Sequence, residues 1–375
     1  MNICFYNVTA SFISGGLETY CWEVGRALSR RGHAVTIVAG NRGEPRHNEV
    51  RLVQFPFRIE QSWPHYGTRF RRLMERLSFA HSGGLNHLVT AGYDAVIINK
   101  PFDFPVIWRA RKRGMTAQTL FRSGGTDFFA TDRWFAGAID HWVSTSRYNA
   151  AQVESRYGRP VTIIANGVDT DNFLPLPKRT ARPNLPENAR VIASVGRLVG
   201  WKGLHIVIHA LAQLPVDVHY LAIGEGSEQA TLVELAQSLG VAERVHFPGR
   251  INHDALPEWL NRADIYVQPS VGEEAFGISV VEAMACGLPV LASNNGGMKE
   301  IVLTGITGHL LPAGDIAAWS EALSTLLSDT TSRKILGAAA RQRVIDHFTW
   351  AANAAAVETM LSSYHSQQSQ LPRQP

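Results

Sequence analysis

NICFYNVTASFISGGLETYCWEVGRALSRRGHAVTIVAG, residues 2–40, decides the fold class. It opens with a short apolar run, Ile3 to Val8, and passes through a polar loop to Gly15-Gly16. Leu17 to Arg31 then carries a helical pattern, and Ala34 to Ala39 reads as a second strand. A strand, a glycine turn, a helix and another strand make a βαβ unit. Outward from it the alternation continues, with strands at Asp94–Asn99, Ala117–Phe121, His141–Thr145 and Val161–Ala165. Helical patterns at Pro105–Arg113 and Ser146–Tyr157 separate them. Strands apolar nearly throughout belong in a parallel sheet covered on both faces.

From Asn166 to Pro186 the pattern stops, and Pro175, Pro177, Pro183 and Pro186 around Lys178-Arg179 mark a linker. The scheme then restarts with a strand at Val191–Val195, a helix at Leu204–Leu214, a strand at Asp217–Ile223 and a helix at Gln229–Leu239. Val245–Phe247, Ile265–Gln268 and Pro289–Ala292 add strands, and helical patterns at Asp315–Leu327, Arg333–Phe348 and Ala351–Tyr364 close the chain. Two such alternations predict an α/β protein of two doubly wound, Rossmann-like domains facing each other across a cleft. The expected division is residues 1–170, a linker at 171–187, residues 188–350, a helix at 351–365 returning toward the first domain, and a disordered tail at 366–375.

The length of 375 residues agrees with two domains at ~150 residues each. With 45% hydrophobic and 18% charged residues the chain can bury a sizeable core. No run approaches the ~18 apolar residues of a membrane-spanning helix, and no basic region precedes the first apolar run, so no secretory signal is expected. Cys4, Cys21 and Cys286 are odd in number and lack metal-ligand spacing, which reads as reduced thiols in a cytoplasm. Residues 1–175 hold 21 Lys and Arg against 14 Asp and Glu, net +7, and the rest holds 15 against 18, net −3. A basic first half predicts an anionic surface or substrate there. No nucleic-acid motif accompanies the scattered arginines.

The densest chemical signal is Glu274-Ala-Phe-Gly-Ile-Ser-Val-Val-Glu282, followed by Ala-Met-Ala-Cys-Gly-Leu-Pro-Val. Gln268-Pro269-Ser270 ends a strand and Ile278–Cys286 is helical, so Phe276, Gly277, Ile278 and Ser279 lie at a helix N-terminus, a ready anion site. Glu274 precedes that terminus and Glu282 lies one turn inside. The alternative is an ordinary strand–loop–helix unit with surface glutamates. The second element is Gly196-Arg197-Leu-Val-Gly-Trp-Lys202-Gly203, which places two cations at the carboxyl end of a strand, where open α/β sheets bind ligands. An arginine and a lysine there suit a diphosphate, although a solvated loop with two surface cations reads equally simply. The spacing is not that of a P-loop. Gly15-Gly16 and Gly296-Gly297 are glycine turns, each either a backbone approach to a ligand or a simple connection.

Together these residues resemble the retaining glycosyltransferases of the GT4 family, which have the GT-B fold. The match runs from Gly15-Gly16 to about Pro312 and includes Asn166-Gly167-Val168-Asp169, Gly224-Glu225-Gly226 and Gly287-Leu-Pro-Val290. The resemblance implies a nucleotide-sugar donor, UDP- slightly before GDP-, and neither metal nor further cofactor. It gives Arg197 and Lys202 the diphosphate, Glu274 the sugar hydroxyls, and the Phe276-Gly277 N–H groups the sugar and phosphate. It further gives Glu282 the ribose, Arg250 the nucleobase and Gly16 the diphosphate from the N-terminal side. One departure stands out. Many members carry a histidine before a Gly-Thr-Asp stretch, whereas this chain reads Phe121-Arg122-Ser123-Gly124-Gly125-Thr126-Asp127. Asp127, Ser123 or the donor's own phosphate is then left to assist catalysis.

The acceptor is expected on the basic first domain, as a lipid-linked or lipopolysaccharide-type glycan of bacterial surface assembly. Within Gly67–His81, Arg69, Arg71, Arg72 and Arg76 alternate with Phe70, Leu73, Leu77 and Phe79, which fits a helix lying on the inner face of an anionic membrane. A surface helix with core-facing leucines is the plainer reading. A soluble acceptor, a GT-B epimerase or a non-catalytic nucleotide-sugar-binding protein are the alternatives.

Overall fold

The computed structural model describes residues 1–13, 15–177, 185–186 and 188–368. Lys178, Arg179 and Pro183 of the expected linker, and residues 369–375 of the expected tail, lie outside the described residues. The chain makes two compact units, Met1–Asn166 joined by the segment from Trp350 onward, and Gly167–Thr349.

In the first unit the strands are β1 (Asn2–Tyr6), β2 (Ala34–Gly40), β3 (Arg51–Phe55), β4 (Ala95–Ile98), β5 (Gln118–Ser123), β6 (His141–Ser144) and β7 (Thr162–Ile163). They form one parallel sheet in the order β3-β2-β1-β4-β5-β6-β7. The second unit contains β8 (Arg190–Val195), β9 (Val218–Ile223), β10 (Val245–His246), β11 (Ile265–Gln268), β12 (Val290–Ser293) and β13 (Gly308–Leu311). These run parallel in the order β10-β9-β8-β11-β12-β13. Both sheets reverse direction of winding at one point, between β1 and β4 and between β8 and β11. Such switch points leave a crevice beyond the strands' carboxyl ends, where ligands of doubly wound folds bind.

The sequence reading has no strand at β3 or β13. Both are sheet edges, and only one of their nine residues, Gly308, is buried, so neither carries the apolar run that marks an inner strand. Each sheet has its own core. Tyr6, Phe79, Phe104, Phe121 and Trp142 pack in the first, with Phe104 edge-on to Phe121 at 4.9 Å between ring centres. Val207, Ile208, Tyr220, Trp319 and Leu323 pack in the second. The last helix, Trp350–Gln368, buries Trp350, Ala354, Val357 and Leu361 at helical spacing. It packs on the first helix, Gly16–Arg30, where Tyr20 meets Trp350 and Glu358 pairs with Arg31 and His33.

The arginine-rich helix runs Thr68–Phe79 and does not present four cations to solvent. Arg76 is 4% exposed and pairs with Asp103 at 3.2 Å and Glu75 at 3.6 Å. Arg72 is drawn to Asp127 at 3.1 Å and to Glu60. Leu77, expected to face the core, is exposed instead. The lipid-facing four-arginine surface is therefore corrected: Arg76 is buried against the Asp103 carboxylate and Arg72 is engaged by carboxylates of its own unit. No helix among the described residues is long and apolar enough to cross a membrane.

Candidate active site

The crevice at the β8–β11 switch point gathers most of the residues singled out from the sequence. β8 ends at Val195, and Gly196 to Lys202 form the loop that follows, with a short turn of helix at Gly200–Lys202. Gly203 closes it at φ 69°, and a Cβ there would fall 2.1 Å from the Pro269 carbonyl oxygen after β11. Only glycine allows the two loops to approach this closely. The Val271 and Gly272 N–H groups both donate to the Trp201 carbonyl, which locks the loops together. Between them is a small pocket whose walls include Ser194, Gly196, Arg197, Lys202, Gln268 and Pro269.

Glu274 is 9% exposed and is held by three donors on one oxygen. Lys202 Nζ lies 2.6 Å from Oε1 and Ser270 Oγ 2.7 Å from it, and Gln268 Nε2 also donates to it. Among the described residues Oε2 has no partner, so it is free to accept a further hydrogen bond. Lys202 is therefore not a free cation; it also lies over the Trp201 ring at 4.7 Å. Arg197, in contrast, is exposed and has no side-chain partner among the described residues. The Gly296-Gly297 turn supports this loop, since the Gly297 N–H donates to the Glu274 carbonyl and Asn295 Nδ2 donates to the carbonyls of Ser270 and Gly272.

The helix Ile278–Ala285 follows, with Gly277 at its N-cap at φ 108° and no side-chain cap. Its first N–H groups are thus unclaimed by a capping side chain, as an anion site requires. Phe276 is buried against Phe348, fixing the entry to the helix, and Ile278 and Ser279 are half-buried in its first turn. Glu282, 5% exposed, takes a 2.7 Å hydrogen bond from His253 Nε2. Arg250 is exposed beside the turn after β9, to which its neighbour Gly249 is joined by accepting the Gly224 N–H.

Gln268, Ser270, His253 and Asn295 were not singled out from the sequence. Gln268 and Ser270 stand in a strand end that was read, yet neither residue type announces a bond to a carboxylate six or four positions on. His253 lies 29 residues from Glu282 and carries no motif. Gly16 and Asp127 belong to the first unit. Gly16 opens the first helix, behind an N-cap Gly15 that offers no side chain. Asp127 sits in an ion-pair cluster with Lys100 and Arg72. Burial lifts its carboxyl, but the two cations outweigh that and hold it below the usual carboxylate range.

Residues 14–172 match the model described as Glycosyltransferase Family 4, and residues 177–343 match the one described as glycosyl transferases group 1. The D-inositol 3-phosphate glycosyltransferase of Xylanimonas cellulosilytica is 30% identical over 92% of this chain and 90% of its own length. The chain belongs to the GT4 glycosyltransferases. A second GT4 relative, the GDP-mannose-dependent alpha-(1-6)-phosphatidylinositol monomannoside mannosyltransferase of Mycolicibacterium smegmatis, is 29% identical over 93% of this chain and 95% of its own. Sucrose-phosphate synthase of Thermosynechococcus elongatus superimposes with a TM-score of 0.85 at 24% identity, over 98% of this chain and 99% of that one. Anabaena HepE, solved with UDP and glucose, gives 0.81 at 23% identity over 97% and 100%. These likenesses establish the GT-B fold for this GT4 glycosyltransferase.

Proposed function

We propose that the enzyme moves a sugar from a nucleoside-diphosphate sugar to an acceptor hydroxyl with retention of configuration and without a metal ion. The observation that carries this reading is the β8–β11 crevice, with free Arg197, the Lys202–Glu274 pair and the uncapped helix at Gly277. Two cations and a positive helix end stabilise the charge that grows on a leaving diphosphate, the task a divalent ion otherwise performs. Glu274 Oε2 holds a sugar hydroxyl, Glu282 the ribose, and Arg250 lies toward the base. In the transfer the C1–O bond to the diphosphate breaks as the acceptor oxygen bonds C1 on the same face. The acceptor's proton passes to the leaving phosphate oxygen. UDP is the first nucleotide to test, and GDP the second, since the Mycolicibacterium relative is named for GDP-mannose.

The acceptor is a lipid-linked or glycan alcohol, and both relatives above are named for inositol compounds that carry phosphate. Enzyme meeting a lipid acceptor works at the inner face of the cytoplasmic membrane. A surface suited to it lies on the helix Phe104–Lys112 and the turn Asp132–Ala138 beside it. Trp108 is 42% and Trp134 77% exposed, and Arg109, Lys112, Arg113 and Arg133 are exposed around them. Aromatic rings beside basic side chains suit the headgroup region of anionic lipid.

The test is calorimetric titration with UDP- and GDP-sugars, followed by NMR of the product anomer with and without chelator. Retention and an unchanged rate in chelator are expected. An inverted product, or a rate abolished by chelator and restored by a divalent ion, overturns the mechanism.

A further inference from the structure

Arg122 is the most unusual charge in the first unit. It stands in β5 next to the carboxyl end and is 2% exposed, yet among the described residues no carboxylate bonds it. Its Nη2 donates to Asn166 Oδ1, and its guanidinium lies over the Tyr20 ring at 4.2 Å. Its Nε is buried without a hydrogen-bond partner, and Nη1 has none among the described residues. The titratable groups facing it are Tyr20 and Cys21, both neutral at physiological pH because burial raises them, Cys21 to about 12. Glu18, in the first turn of the first helix, accepts a hydrogen bond from Thr9 Oγ1 instead. An uncompensated buried charge is costly, and a fold that keeps one without an internal counter-ion leaves it for a ligand to neutralise.

The geometry shows how a ligand reaches it. Gly124 is exposed, and a Cβ there would lie 2.7 Å from Arg122 Nη1 and 2.8 Å from Leu17 Cδ2. The missing side chain at Gly124 is thus a window onto Nη1, and the window borders the first turn of the helix Gly16–Arg30. That helix starts without a side-chain cap, so its first N–H groups are unclaimed by a capping side chain. We propose that Arg122, reached through the gap at Gly124 and beside the first turn at Gly16-Leu17, is a phosphate-binding residue of the first unit. The site rests on the glycosyl-transfer reading for its ligand class. The phosphate comes either from the donor's diphosphate or from a phosphate on the acceptor.

Two variants separate this from a structural role. Arg122→Gln keeps a donor for Asn166 and removes the charge. Gly124→Ala keeps the charge and fills the window, with the end of the Leu17 or Arg122 side chain giving way to the new methyl. Affinities are measured by calorimetry for inorganic phosphate, for UDP and GDP, and for inositol 1-phosphate, with thermal unfolding of each variant alongside. A lost charge-assisted contact weakens binding roughly ten- to a hundredfold. Both variants are expected to show that loss for phosphate, with Arg122→Gln unfolding no lower than wild type. Loss confined to UDP or GDP assigns the site to the donor, and loss confined to inositol 1-phosphate assigns it to the acceptor. A lowered unfolding temperature for Arg122→Gln with unchanged affinities for every probe makes Arg122 structural and overturns the proposal. Wild-type protein that binds no nucleoside diphosphate overturns the donor reading alone, since the phosphate and inositol 1-phosphate arms still decide the site.

Discussion

Lys202 and Glu274 act as one buried pair, whereas Arg197 stands alone, and their substitutions should separate accordingly. Arg197→Ala removes an exposed cation, so stability should stay within about 0.5 kcal/mol. Losing one preorganised charge from the leaving group should still lower kcat roughly a hundred- to a thousandfold. Lys202→Ala should lower kcat similarly and also destabilise by about 3 kcal/mol, because it leaves Glu274 buried with a charge partner gone. Chemical denaturation and steady-state kinetics on both variants check the contrast; equal stability losses would show that the pair is not coupled. A second residue-scale expectation concerns pH. Burial lifts the Asp103 carboxyl to about 6, against the lowering pull of Arg76. Its folded value exceeds the unfolded ~3.9, so its contribution is fully present below ~4 and is lost as pH rises through about 6. Asp103→Asn should flatten the urea midpoint across that window, and an unchanged slope would place the titration elsewhere.

At the scale of elements, the helix Thr68–Phe79 shows where sequence reading stops. Its existence and bounds were legible from the alternation of arginines with apolar residues, but its phase was not. Asp103 is 27 positions away, and its demand for a buried cation is a tertiary fact that periodicity does not contain. Arg76→Glu should therefore destabilise by roughly 3–5 kcal/mol, since it sets an acid against Glu75 and Asp103. Arg69→Glu, on the exposed face, should be near neutral. Both are read from denaturation midpoints. The Glu274–Glu282 loop and helix were legible for the opposite reason. Each of their signals, the strand end at Gln268, the break at Gly277 and the helical run from Ile278, is local. If the Trp108–Trp134 face docks on lipid, Trp108→Ser with Trp134→Ser should release the protein from phosphatidylglycerol vesicles in a flotation assay. Arg69→Glu should not, and the reverse result would return the membrane surface to the helix Thr68–Phe79.

For the whole molecule, two βα alternations lead to the expectation of two doubly wound domains and a last helix returning toward the first, but the strand order and the contacts that hold that helix are matters of packing. Trp350, Ala354, Val357 and Leu361 are all buried within the first unit, and the last three are fully so. Burying Trp350, Val357 and Leu361 at ~1.5–3 kcal/mol each supplies on the order of 5–9 kcal/mol. Denatured-state compactness makes that an upper estimate. A domain's net stability is only ~5–15 kcal/mol, so the first unit has little margin without this helix. A chain ending at Thr349 should therefore lose the first unit's cooperative unfolding while residues Gly167–Thr349 keep theirs. Calorimetry should show one transition where the full chain shows two or a merged one. Limited proteolysis should degrade the truncated chain from Met1 to about Asn166 and spare the rest. If the truncated chain instead unfolds as the full chain does, the terminal helix adds nothing to the first unit, and its apolar stripe requires another explanation.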